Sequence, residues 1–373
     1  MKKESTALVV GGGLIGGSIA WELAERGVSV TLLDKGSFGG EASTAAAGML
    51  GAHVETHADG PFFDLCRRSL QLYRDWTERI AGRSGLNPQY EAEGIVRIAY
   101  TEEDEAELRS RLPWIGDYSW LEADDLRRLE PGIGGEPRGG LFFSGDHRVH
   151  PVKLAEAMRA GLERLGCRVL ENTPVLGLVT SGGRATGVRT GEGLLYADSV
   201  ILAGGAWGLL PEELQELVPL LPVKGQCYSV RPNGRTASRT LFTKGCYLVP
   251  RLDGTVTIGA TQLEAGFDKR PTVEALAALH ASAVRLQPAL AEAEFLRTWT
   301  GLRPGTPDGL PYMGALPGLD QVYVATGHFR NGVLLAPVTG RLMAGLLLGD
   351  PAAAAELEPY SPERNRPAVS TGP

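Results

Sequence analysis

The chain has 373 residues, with 37 Lys and Arg against 44 Asp and Glu and a formal net charge of −7. That length suits two domains or one large α/β unit, and an acidic balance with no basic block excludes nucleic acid or an anionic membrane as the main partner. Four cysteines (Cys66, Cys167, Cys227 and Cys246) stand without CxxC spacing, which argues against a disulfide framework, zinc site or redox pair and fits a reducing cytoplasm.

The opening "MKKESTALVV" sets two lysines before an apolar run, as a signal peptide would. Glu4 interrupts the basic region and Glu22, Glu25 and Arg26 follow soon after, so a globular strand–turn–helix accounts for it better. "TALVV" reads as a buried strand, and "GGGLIGGSIAWELAERG" as a glycine turn entering a helix that Gly27 ends. In the spacing Gly11-x-Gly13-x-x-Gly16, the first glycine permits the tight turn and the second lets backbone approach a pyrophosphate. The third lets helix and strand pack closely. The helix N-terminus offers N–H groups and a positive dipole end to the phosphates. "VSVTLLD" is a second strand ending at Asp34, near the spacing of about 20 residues expected of a ribose-binding acid. An acid there suits a free 2′-hydroxyl, so the dinucleotide is FAD or NAD rather than NADP.

"KGSFGGEASTAAAGML" follows, a small-residue loop in which Ala45, Ala46, Ala47 and Gly48 would let a flat ring lie against backbone. Segments near residues 81–144 and 221–299 lack nucleotide-binding features. Their alternating runs "KGQCYSV", "GCYLVPR" and "TVTIGAT" predict an antiparallel sheet. Helical patterns appear in "DEAELRSRL", "LEADDLRRLEP" and "TVEALAALHASAVRLQP". Between these segments, an amphipathic helix starting at Pro151 leads into a β-meander and a buried strand, "SVILAGGAW". The stretch "WTGLRPGTPDGLPYMG" has the Gly and Pro density of a turn-fixed loop carrying one cation, Arg303, whose bland partner would be Asp308. The last segment, "QVYVATGHFRNGVLLAPVTGRLMAGLLLG", is again strand, glycine turn and helix. The helix starts near Asn331–Gly332, and Pro337 and Arg341 break the run as a membrane span. The six histidines form no metal-ligand pattern.

Over nearly its whole length the chain resembles the FAD-dependent D-amino-acid oxidase family, which includes sarcosine oxidases, and within it the glycine oxidases of thiamine biosynthesis. The likeness is carried by "VVGGGLIGG", "STAAAGMLGAH", "LPVKGQCYSV", "GCYLVPR", "TIGAT", "GLRPGTPDGLPYMG" and "GHFRNGVLLAPVTG". It implies an α/β, Rossmann-like FAD-binding domain (1–80, 145–220 and 300–373) with an inserted α+β, antiparallel-sheet substrate domain (81–144 and 221–299). It also implies that Arg303, Tyr247 and Arg330 bind and position a substrate carboxylate. For the cofactor it implies contacts from Gly11, Gly13, Leu14, Ile15, Gly16, Asp34 and Lys35 near the first strand pair. Further contacts come from Ala42, Ser43, Ala47, Gly48 and Met49 in the small-residue loop, from Val175, and from His328, Phe329, Arg330, Asn331, Gly332, Val333 and Leu334 at the last helix.

The activity implied is oxidative deamination of glycine or another small amino acid by hydride transfer to flavin, with oxygen as acceptor. D-amino-acid or sarcosine oxidation is the alternative, and an inert flavin-binding module a remoter one. Covalent attachment in sarcosine oxidases uses a cysteine. None lies beyond Tyr247, so noncovalent FAD is expected, in a homo-oligomer that the resemblance makes a homotetramer. Gln262, after "GAT", departs from the apolar residue expected of close glycine oxidases.

Overall fold

The fold, taken from a computed structural model, is described for residues 6–208, 212–234 and 236–365; Glu4 and the two lysines before it lie outside them. One six-stranded sheet has the order Tyr312–Ala315, Val322–Thr326, Ser199–Leu202, Thr6–Val10, Ser29–Leu33, Arg168–Leu170. Its neighbours pair in parallel except at the Tyr312–Ala315 edge. The near-continuous apolar runs in these strands are what a sheet covered on both faces requires. Helices Leu14–Glu25, Pro61–Ser84, Pro151–Arg164 and Gly332–Leu347 share a core on one face. The meander Val175–Ser181, Arg184–Thr190, Gly193–Tyr196 packs with the other.

The helices Leu14–Glu25 and Gly332–Leu347 cross where a Cβ on Gly340 would lie 2.6 Å from the Ser18 carbonyl oxygen, so only glycine permits the approach. Pro337 sits inside the second of these helices and cannot donate to the Val333 carbonyl. The Tyr73 hydroxyl does so instead at 3.0 Å, while Ser69 and Ser18 hydroxyls donate to the Leu334 and Ala336 carbonyls at 2.6 Å each. Three side chains thus hold the first turns of a helix that proline would otherwise loosen.

The second sheet has nine strands. Its path runs Leu263–Glu264, Leu221–Arg231, Val256–Gly259, Tyr247–Pro250, Thr240–Phe242, Ile95–Ala99, Gly139–Phe143, Ser119–Leu121, and Glu294–Gly305 pairs with Leu221–Arg231 off that path. Helix Val273–Leu286, capped by the Thr272 hydroxyl, covers one face. The sheet is antiparallel as expected except at one pair, Thr240–Phe242 with Ile95–Ala99, which is parallel. That pair joins two chain segments that no hairpin links, so nothing forces them to run in opposite directions.

The expectation of a loop over 299–314 is corrected at both ends, leaving a turn at residues 306–311 between the strands Glu294–Gly305 and Tyr312–Ala315. Glu294–Gly305 is one strand, and Arg303 pairs in register with Val223 on its neighbour. Pro304 and the two glycines had suggested turns. A long antiparallel partner fixes the segment as a strand, and Gly301 is needed because a Cβ there would lie 2.7 Å from the Ala45 Cβ.

Candidate active site

In the turn after the first strand, Gly11 and Gly16 sit where a Cβ has no room. Gly11 has φ +115°, and a Cβ on it would come 2.6 Å from the Ala203 carbonyl carbon. A Cβ on Gly16 would come 3.2 Å from Val9 Cγ1, against the first strand. Neither Gly13 nor Asn331 caps its helix with a side chain, so both N-termini present backbone N–H groups and positive dipole ends to one cleft. The cleft is lined by Gly13 and Ile15 at one terminus and by Phe329, Arg330, Gly332 and Val333 at the other. Its floor is the stretch Ala42–Met49, which offers little beyond backbone and methyl groups.

That floor is tied to the second sheet. Trp299 Nε1 donates to the Ala45 carbonyl at 2.9 Å, and Arg251 Nη2 donates to the Ala47 carbonyl at 2.6 Å. Gly48 has φ +78°, and a Cβ there would lie 2.8 Å from Pro151 Cδ. At the far end of the parallel sheet Asp34 is fixed by two N–H donors, Gly12 at 2.7 Å and Gly36 at 2.8 Å. Each carboxylate oxygen keeps acceptor capacity for a further donor.

The opposite wall comes from the second sheet. Paired residues of an antiparallel ladder project to the same face, so the register Gly225↔Gly301 and Val223↔Arg303 puts both glycines on the Arg303 side of the ladder. Arg303 Nη1 donates to the Thr261 carbonyl at 3.1 Å. Among the described residues no carboxylate pairs with it. Asp308, the alternative partner, pairs instead with Arg364 at 2.8 Å. Tyr247 is buried beside it, its hydroxyl 3.6 Å from Cys227 Sγ, a weak partner that leaves the phenol available. Burial raises the Tyr247 and Cys227 pKa values, so both stay protonated.

Arg330 is held by Glu55, Nε to Oε2 2.8 Å, and that carboxylate raises the guanidinium pKa further. Glu55 is the one acidic side chain lining the cleft among the described residues. His328 turns its ring away to the Thr339 hydroxyl, Nε2 to Oγ1 3.1 Å, and burial lowers its pKa to about 3. Its imidazole is therefore neutral and structural, and only its backbone is left to face the cleft.

The family model for FAD dependent oxidoreductases (DAO) matches residues 6–346. The chain belongs to that family of FAD-dependent oxidoreductases. A glycine oxidase from Bacillus licheniformis is 37% identical over 365 residues, 98% of each chain. A bifunctional protein ThiO/ThiG from Synechocystis sp. is 36% identical over all of this chain and 57% of its own. The solved structure of a glycine oxidase from Bacillus cereus superposes with TM-score 0.88 at 33% identity, covering 93% of this chain and 98% of that one.

FAD fits these residues of the family fold: two helix termini whose N-cap residues lend no side chain, for phosphate and ring oxygens, the side-chain-free Gly13 at the cleft, and a flat alanine floor. Of the residues the resemblance implies, Gly13, Ile15, Ala42, Ser43, Ala47, Gly48, Met49, His328, Phe329, Arg330, Gly332 and Val333 meet at the cleft with Tyr247 and Arg303. Ser43 also accepts from the Leu14 N–H at 3.0 Å. Leu14 and Leu334 do not line it. Their side chains are in the helix-covered core, as their apolar helical spacing dictates, which leaves them backbone contacts alone. Lys35 lies over the Trp207 ring, and Val175 opens a meander strand two residues after Thr173, whose N–H donates to the Asp34 carbonyl at 2.7 Å. Both are outside the cleft, toward the Asp34 end. Glu55, Gly225 and Cys227 were not read from sequence as site residues. The signal for Gly225 and Cys227 was the two-residue alternation in "KGQCYSV", which puts both on one face.

Proposed function

We propose that this chain is a glycine oxidase, converting glycine, O2 and water to glyoxylate, ammonia and hydrogen peroxide. The observation carrying this reading is a guanidinium with no carboxylate partner among the described residues, Arg303, set on a strand beside Tyr247 in a cleft that fits FAD. FAD, when bound, supplies the acceptor for the Cα hydrogen and its electron pair at flavin N5.

The protein's part is placement. The planar Arg303 fork takes the substrate carboxylate bidentately, and Tyr247, held as a phenol by burial, donates to the same group. Arg330, clamped by Glu55, adds positive charge without swinging freely. The cleft residues give the amine no dedicated base, so substrate reacts as the neutral amine and positioning supplies most of the rate. The six-stranded-sheet unit carries FAD in this reading and the nine-stranded unit carries the substrate wall. The domain limits then move to element ends, since residue 80 falls inside helix Pro61–Ser84 and residue 300 inside strand Glu294–Gly305. FAD is noncovalent here, a reading supported by the Cys227 thiol, which lines the cleft but is kept protonated by burial.

The named relatives support glycine as substrate and a supply to the thiazole branch of thiamine biosynthesis. A cytoplasmic homo-oligomer completes the reading. Among the described residues no helix is long and apolar enough to cross a membrane. Peroxide release should be measured across glycine, sarcosine, D-alanine and ethylamine. Turnover of glycine with none of ethylamine is expected. Equal turnover of ethylamine would overturn the carboxylate-anchored reading.

A further inference from the structure

Glu55, which holds Arg330 at the cleft, belongs to no helix or strand. It lies in a turn between the short strand Met49–Leu50 and helix Pro61–Ser84, where the backbone must find partners outside regular structure. Met49–Leu50 pairs with His147–Arg148, and the residue before that second strand, Asp146, continues the connection where the ladder stops. Its fully buried side chain accepts from the His53 N–H at 3.1 Å, the Val54 N–H at 2.8 Å and His53 Nδ1 at 2.7 Å. A carboxylate only accepts, so Nδ1 carries a proton. The other ring nitrogen, Nε2, is buried with no hydrogen-bond partner among the described residues.

The same peptide is gripped from its other side. The Val54 carbonyl accepts from Arg97 Nη1 at 2.9 Å and Arg111 Nη1 at 3.3 Å, both arginines are buried, and Glu107 pairs with each of them. Both polar backbone groups of Val54 therefore end on buried charged side chains, and the next residue is Glu55. Buried charges and an unpartnered imidazole nitrogen are a costly way to hold a turn that neutral partners would satisfy. None of Asp146, His53, Arg97 and Arg111 lines the cleft. What they add is a fixed backbone immediately before the carboxylate that clamps Arg330.

We propose that Asp146 is a positioning residue for the oxidation. It fixes the His53–Val54 peptide, through it the Glu55 carboxylate, and through that the Arg330 guanidinium that meets the substrate carboxylate. The inference rests on the reading above in which Arg330 helps to hold that carboxylate. D146N keeps the shape and one acceptor oxygen but turns an NH2 toward either the His53 Nδ1–H or the Val54 N–H, so one of the two bonds gives way to facing donors.

The test is a double-mutant cycle of D146N and E55Q, with glycine kcat and KM read by peroxide release from the FAD-loaded enzyme and flavin absorbance taken on the same samples. D146N is expected to raise KM about tenfold and to lower kcat by no more than about threefold, since a displaced Arg330 weakens ground-state and transition-state binding alike. E55Q is expected to do the same. In the E55Q background D146N should change KM by less than about twofold, because Arg330 is already released. A purely structural Asp146 would lower stability and yield in both backgrounds and leave the KM of folded, yellow enzyme unchanged. An unchanged KM in D146N, or a KM effect as large in E55Q as in wild type, would overturn the proposal. If D146N does not fold, H53F takes its place in the cycle. It removes the 2.7 Å bond and the unpartnered nitrogen together, so it should fold, raise KM about threefold and lose that effect in E55Q; the same two results would count against the proposal. Glycine turnover by wild type tests the oxidase reading by itself, and failure there removes the proposal with it.

Discussion

Gly225→Ala is a one-methyl change that tests how Arg303 is held. A Cβ on Gly225 would lie 2.6 Å from both Cζ and Nη2 of Arg303, where carbon contacts settle at about 3.5–4.0 Å. Gly225 sits directly opposite Gly301 in a continuous antiparallel ladder, so the backbone cannot yield cheaply and the guanidinium must move by about 1 Å. The φ of Gly225 is not in the left-handed region, so the substitution adds no backbone strain. The displaced fork loses its 3.1 Å bond to the Thr261 carbonyl and its alignment with the substrate carboxylate. A charge-assisted hydrogen bond contributes about 1.5–3 kcal/mol, which corresponds to roughly a 10- to 150-fold fall in kcat/KM for glycine, in line with the ~100-fold cost of a 1 Å misplacement. Overpacking should cost about 1–3 kcal/mol of stability and leave FAD bound. The assay is peroxide release against glycine concentration, with flavin absorbance and a urea melt on the same preparation. Glycine kcat/KM within threefold of wild type, in a folded and yellow variant, would refute the reasoning.

Arg303→Lys keeps the charge and loses the fork, so glycine kcat/KM should fall by roughly 30- to 1000-fold, about 2–4 kcal/mol, with Arg303→Ala lower still; steady-state kinetics decides. Asp34→Ala should weaken FAD binding by about 1.5–3 kcal/mol through a lost ribose bond, read by flavin fluorescence titration; unchanged affinity would remove Asp34 as the ribose ligand. His328 is held neutral with its pKa lowered to about 3, whereas the unfolded chain protonates near the ordinary value of about 6.5. Its stabilising contribution is therefore full above about pH 6.5 and is lost as pH falls toward 3, at about 1.4 kcal/mol per pH unit. His150, lowered by burial to about 4, adds to that slope, so urea melts from pH 7 to 4.5 should show at least that slope and His328→Asn should reduce it by about 1.4 kcal/mol per pH unit without abolishing it.

The nucleotide half was legible because its chemistry is local. Gly11, Gly16 and Asp34 lie within one strand–turn–helix–strand unit, so spacing alone predicts where they meet. The substrate wall was legible only in part because its residues meet across the sheet. Arg303 could be singled out as an unpaired cation, yet its Gly and Pro neighbours read as a loop. What makes the segment a strand is a partner some eighty residues earlier in the chain, whose pairing no local pattern reports. Glu55 was invisible for the same reason. Its partner, Arg330, is 275 residues away, and nothing near Glu55 in sequence marks a carboxylate that will be enclosed.

The two hydrogen bonds from Trp299 and Arg251 to the Ala45 and Ala47 carbonyls bear on how such an enzyme can diversify. They make the Ala42–Met49 floor, the shelf proposed above for the flavin, joint property of both sheets, so the nine-stranded unit is not an exchangeable cassette. A chimaera that imports that unit from a relative must carry both donors at matching positions or lose flavin affinity together with its old specificity. Recombination at the unit boundary is therefore a poor route to new substrates. Stepwise replacement of side chains on the Arg303 face leaves the shelf intact, and it is the path along which this scaffold can drift.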